Sequence, residues 1–149
     1  MNNKAARLLE LGLTPVLLGN SGDNLKRPQL KAWQTATVTA GDVATWPARN
    51  NIGVRCGQTL QPGRFLVVFD FDYDAARIFP QWRAVAEEIV NVPLVVVTSG
   101  KGYHAYFYTK SEKPAQRVAV AEDGGVLIET IGRRKQVVTP GSMHPSGKQ

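Results

Sequence analysis

Phe65-Leu66-Val67-Val68-Phe69-Asp70-Phe71-Asp72 is an apolar run that ends in two acids one residue apart. Its β-branched and aromatic content marks a strand. Side chains two apart on a strand share a face, so Asp70 and Asp72 converge while Phe69 and Phe71 turn into a core on the other side. Paired carboxylates repel unless a cation lies between them, and a hard divalent ion with oxygen ligands suits that position. A strand end followed by a turn, with Asp74 capping the next helix, accounts for the acids equally well. Glycosyltransferases, phosphatases and nucleases also use such pairs, so the motif speaks for a metal before it speaks for a reaction.

Working outward, Leu94-Val95-Val96-Val97-Thr98, the turn Ser99-Gly100-Lys101-Gly102 and Tyr103-His104-Ala105-Tyr106-Phe107-Tyr108 read as a hairpin. Its glycines let backbone N–H groups approach an anion, and Lys101 adds charge. His104 starts the outgoing strand with a ring free to donate to a phosphate, and Tyr103, Tyr106 and Phe107 give it aromatic surroundings. A plain tight hairpin is the competing reading. The spacing is not that of a P-loop, and no helix follows.

A third apolar strand, 126–130, delivers Glu129 near its end, completing the carboxylate set of a two-metal phosphoryl-transfer site. The basic turn Arg133-Arg134-Lys135 joins it to a partner strand over 136–139 and offers charge to phosphates. The loop after Thr139 carries Ser142 and His144 among glycines and hydroxyls; a surface loop of that make-up gains interest only from what precedes it.

The rest of the chain fits one mixed α/β, or α+β, domain over 1–149. A helix is expected over 4–11 with Gly12 as its stop, a short strand over 15–18, and a helix over 39–46 capped by Thr39. Another strand covers 52–55, and a longer helix interrupted by Pro80 runs to Val90. The 43% hydrophobic content and mean hydropathy of -0.20 describe a globular chain. No apolar run reaches the ~20 residues that span a bilayer, and the N-terminus has no signal-peptide pattern, so no membrane partner and a cytoplasmic location are expected. Cys56 is the lone cysteine, which excludes an intrachain disulfide framework and a cysteine-rich zinc site. The net charge is +6, and from Lys101 onward eight Lys and Arg face four Asp and Glu. That balance favours a polyanionic partner.

Taken in order, Phe69-Asp70-Phe71-Asp72, the Ser99-Gly100-Lys101-Gly102-Tyr103-His104 run and Ile128-Glu129 resemble the three motifs of the bifunctional primase–polymerase (prim-pol) domain of the archaeo-eukaryotic primase superfamily. Upstream, Lys26, Pro28, Trp33 and Ile52-Gly53-Val54 are similar to that family as well. So are Val137-Val138, Pro140, Ser142 and His144-Pro145-Ser146-Gly147 downstream. The resemblance implies an N-terminal α/β unit beside an RRM-like antiparallel sheet that carries the site. By it, Asp70, Asp72 and Glu129 hold two Mg²⁺ or Mn²⁺ ions and His104 joins them in catalysis. Ser99, Gly100, Lys101, His104, Arg133, Ser142 and His144 would bind the nucleotide.

The substrates so implied are ribo- or deoxyribonucleoside triphosphates and a single-stranded DNA template, in replication of a plasmid, phage or other mobile element. A helicase, fused or separate, is the further partner, and no zinc is expected. Many relatives have Asp where Glu129 stands. They also usually continue past the point where this chain reaches Gln149, which makes an incomplete C-terminal sheet an expectation too. A catalytically weak nucleotide- or DNA-binding module of a replication initiator and a metal-dependent nuclease are the competing functions. In three dimensions the carboxylates of Asp70, Asp72 and Glu129 are expected within a few ångströms of one another, with His104 facing them across a cleft.

Overall fold

Among the described residues the acidic strand lies at the centre of the larger of two antiparallel sheets, in a mixed α+β arrangement with three α-helices. The structure, a computed structural model, describes residues 2–99 and 101–143. Gly100 and His144, both candidate nucleotide-binding residues, lie outside the described residues. The elements are α1 (Asn3–Glu10), β1 (Pro15–Leu17), a 3₁₀ turn (Gly22–Lys26), α2 (Ala40–Thr45), β2 (Ile52–Arg55), β3 (Gly57–Gln58) and β4 (Phe65–Phe71). They continue with α3 (Ala75–Val90), β5 (Val95–Thr98), β6 (Tyr103–Thr109), β7 (Gln116–Val120), β8 (Val126–Ile131) and β9 (Gln136–Val138). The small sheet has the order β1-β2-β9 and the large one β5-β6-β4-β8-β7, with β3 against the start of β4.

Alternation along β4 dictates the layering. Phe69 and Phe71 face α3, where Phe71 meets Trp82 at 4.8 Å between ring centroids and Phe79 stacks on Tyr103 at 4.2 Å. Burying a ring of this size stabilises by roughly 2–3 kcal/mol, so the aromatic layer fixes the helix on this face. Leu66 and Val68 point the other way and are buried with Leu13, Val54, Cys56 and Val137, a cluster that joins the two sheets. Leu8 of α1 packs against that cluster and against a second one built on Ala5, Val43, Trp46 and Ile52. Asp70 continues the Leu66–Val68 face beyond the point where the apolar contacts end.

Local signals place several elements where the sequence leads one to expect them. Thr39 caps α2 through a reciprocal capping box with Asp42, whose carboxylate accepts from Thr39 N at 2.8 Å. Gly12 follows α1 with a φ of 76°, which favours glycine. Asp74 holds the N-cap position of α3, but its side chain makes no capping bond. It adopts a left-handed conformation and pairs with Arg77 at 2.5 Å instead.

The strand after the basic turn is the larger departure. Rather than pairing with β8, β9 crosses to the small sheet and pairs with β2, Val54 opposite Val137. Both edges of β8 are taken, by β4 and by β7, and Val137 finds its apolar partners in the cluster between the sheets. The strand β7 itself escapes sequence reading because its residues are mostly exposed and its pairing with β8 is irregular. No helix among the described residues is long and apolar enough to cross a membrane.

Candidate active site

Register turns the acidic strand into a row of functional groups. Asp70 is paired directly with His104 on β6 and with Glu129 on β8; the row extends to Val97 on β5 and Arg117 on β7. Directly opposed residues of an antiparallel pair share a face with Cβ atoms about 5 Å apart. The same alternation puts Tyr106 on the His104 face, with ring centroids 6.4 Å apart, while Tyr103 and Phe107 pack on the α3 side. His104 therefore stands beside Asp70 in the sheet rather than across a cleft. Its Nε2 is 3.2 Å from Asp70 Oδ1, with the side chains 14% and 13% exposed.

That contact is close but poorly aligned. Among the described residues, Asp70 Oδ1 is buried without a hydrogen-bond donor and the Tyr106 hydroxyl without a hydrogen-bond partner. Burial raises the Tyr106 phenol above its ordinary value, with smaller contributions from Cys56 and Asp70. An orphaned carboxylate oxygen on a residue that lines a cavity is an unmet demand for a cation or a donor.

The cavity that supplies the space has a volume of about 320 Å³, at the small end for ligand sites. Asp70, Asp72 and His104 line it from the large sheet, with Ser99 and Lys101 from the β5–β6 turn. The facing wall is β9 and residues 139–143, and Lys26 of the 3₁₀ turn contributes a second cation. Ser99 organises its own turn: its hydroxyl accepts from Gly102 N at 2.9 Å and donates to Asp72 Oδ1 at 3.4 Å. Glu129 does not line this cavity but opens into an adjacent groove.

Of the other candidates, Arg133 points away from the cavity and pairs with Glu112 at 3.6 Å. Ser142 does line the cavity, yet its buried hydroxyl is occupied by the Ile52 carbonyl at 3.2 Å, alongside Thr139 at 2.7 Å to the same oxygen. That pair ties the closing loop to β2.

No sequence pattern singles out Asn51. Its buried side chain donates to Leu25 O at 3.0 Å and Met143 O at 2.6 Å and accepts from Met143 N at 2.8 Å. It thus brackets the turn bearing Lys26 to the closing loop. Nothing in the local pattern separates Asn51 from Asn50; only the fold brings residues 25 and 143 to it. Asn51→Ala is expected to cost about 1–3 kcal/mol, checked by urea denaturation. Unchanged stability would show that the bracket holds nothing.

Whether this donor set suits a divalent ion is a question of number and kind. Among the described residues no three or more His, Cys, Asp or Glu side chains converge as a ready-made metal cage. Mg²⁺ does not need one. It keeps several waters and is usually held by one or two carboxylates plus substrate phosphates. Asp70 and Asp72 in one cavity, with an orphaned oxygen on Asp70, fit that mode of binding. Cys56 is no part of it, because burial pushes its thiol up to about 12 and keeps it protonated.

A family model described as the bifunctional DNA primase/polymerase, N-terminal (Prim-Pol) matches residues 4–149. No curated protein matches the chain.

Proposed function

The chain belongs to the bifunctional DNA primase/polymerase N-terminal family, and on that footing we propose that it catalyses metal-dependent nucleotidyl transfer. Its substrates are ribo- or deoxyribonucleoside triphosphates and a primer or initiating nucleotide on a single-stranded DNA template, in replication of a plasmid, phage or other mobile element. The observation that carries this reading is the His104–Asp70–Glu129 row, set beside a cavity that also holds Asp72, Lys101 and Lys26.

In the reaction a hydroxyl oxygen forms a bond to the α-phosphorus, the bond to the bridging oxygen breaks, and pyrophosphate leaves with the electron pair. The hydroxyl proton passes to solvent. Asp70 and Asp72, with Glu129 on their flank, are the residues that would hold Mg²⁺ or Mn²⁺; when bound, such ions neutralise phosphate charge and acidify the attacking hydroxyl. Lys101 and Lys26 bring fixed positive charge to the phosphates, where charge accumulates in the transition state. His104, held between Asp70 and Val97, offers a ring nitrogen to the phosphate from a rigid strand. The cavity walls orient the triphosphate, and positioning of this kind is a large part of what phosphoryl-transfer enzymes do.

Purified protein incubated with a primed single-stranded template, nucleoside triphosphates and Mg²⁺ or Mn²⁺ is expected to lengthen the primer. Shortened strands would indicate a nuclease. DNA binding without synthesis, with either metal, would leave a binding module and sink the polymerase reading.

A further inference from the structure

Glu129 and Asp70 are neighbours in register, yet they open on different spaces. The groove on the Glu129 side measures about 460 Å³ and includes Arg117, Lys135 and Gln136 in its lining; Ile131 and Gln136 line the cavity as well. Arg117 is the register partner of Glu129 on the outermost strand. Lys135 is the member of the basic triplet that turns into the groove, whereas Arg133 is engaged by Glu112. Neither Arg117 nor Lys135 has a carboxylate within 4.0 Å among the described residues. Two exposed cations thus flank the outer end of the acidic row, neither held in an ion pair among the described residues.

In-line displacement at phosphorus puts the attacking and leaving oxygens on opposite sides of the transferred group. Lys101 and Lys26 line the cavity at the His104 end, and the nucleotidyl-transfer reading assigns them to the triphosphate's β- and γ-phosphates. The attacking hydroxyl must then approach from the other end of the row, which is the Glu129 groove. We propose that this groove binds the phosphates of the nucleotide that supplies the attacking hydroxyl, through Arg117 and Lys135. The inference rests on the nucleotidyl-transfer reading and adds to it the division of the two substrates between two spaces.

The test is the double variant Arg117→Ala/Lys135→Ala, both positions being exposed, with circular dichroism to verify the fold. In primer extension its KM for primed template should rise about tenfold while the KM for the incoming triphosphate stays within twofold. In fluorescence anisotropy without turnover, the slope of log Kd against log salt for a primed template should fall by between one and two units, as expected for two lost phosphate contacts. Binding of the unprimed template should not change. In a second arm, dinucleotide synthesis from free triphosphates reports the initiating nucleotide, whose KM should rise by a similar factor.

An unchanged slope on primed template, an equal loss on unprimed template, or a rise in the incoming triphosphate's KM instead would overturn the assignment. A wild-type chain that extends no primer would sink the polymerase reading and leave the anisotropy result to judge the groove by itself.

Discussion

Asp70→Asn is expected to lower the rate of primer extension at least about 10³-fold while the protein stays folded and keeps its salt-dependent DNA binding. The two side chains are nearly isosteric, so the packing of Val68 and Phe71 on either side of the position is undisturbed. What changes is the carboxylate between His104 and Glu129, whose Oδ1 has no donor in the structure. An amide cannot replace it as a hard anionic ligand. Single-turnover extension under saturating Mn²⁺, with a thermal melt on the same sample, checks the expectation. Activity within tenfold of wild type would mean that Asp70 holds no catalytic metal. A melting temperature lowered by several degrees in parallel with activity would mean that the carboxylate serves the fold. Asp72→Asn belongs in the same experiment, since Asp72 is exposed and, among the described residues, accepts a hydrogen bond from Ser99 alone; its replacement should leave the melt untouched.

The parts of this site that were legible in the sequence are those set by short-range rules. Alternation along residues 65–72 put Asp70 opposite Phe69 and Phe71, and the glycines of residues 99–102 marked a hairpin whose outgoing strand carries His104. The order of the motifs then pointed to the family to which the chain belongs. Pairing between distant strands was not legible. Nothing in residues 126–138 says that β8 is already flanked on both sides, so β9 read as its partner although it belongs beside β2. Arg117 was invisible for a related reason, because an edge strand with exposed side chains and an irregular register lacks the alternation that reveals strands. Asn51 gathers its three bonds from residues 25 and 143, and no local pattern records them.

These misses share a consequence for the site. Local pattern supplied Asp70 on β4, Asp72 just past its end and His104 on β6. Topology supplied the walls, because β9 leaves β8 and carries Gln136 and the closing loop over the Asp70 end of the large sheet. A chain with the same three motifs but with β9 paired to β8 would leave its acidic row open to solvent. The cavity is thus a product of the crossing strand as much as of the motifs.

Gly102→Ala is expected to destabilise the protein by about 3 kcal/mol and to lower kcat/KM for extension at least about 10²-fold. A Cβ at this position would lie 1.7 Å from the Phe71 carbonyl oxygen and 3.0 Å from the Ala75 Cβ. The obstacle is backbone, so no rotamer relieves it. Phe71 cannot retreat either, being fully buried between Phe79 and Trp82. The turn must move instead, and it carries Ser99 and Lys101 away from Asp72 and pulls on His104, the second residue of β6. A loss of that size lowers the melting temperature of a chain this long by roughly 6–12 °C.

Gly124→Ala is the control. Gly124 has a φ of 86° in the β7–β8 turn but no atom within 4 Å of an added Cβ, so the substitution brings backbone strain of about 1 kcal/mol and no collision at the site. Urea denaturation of both variants, with extension assayed at a temperature where each is folded, separates the two causes. If Gly102→Ala lost no more stability than Gly124→Ala and kept its activity, the close approach of the turn to β4 would have no part in holding Lys101 and His104 beside the acidic pair.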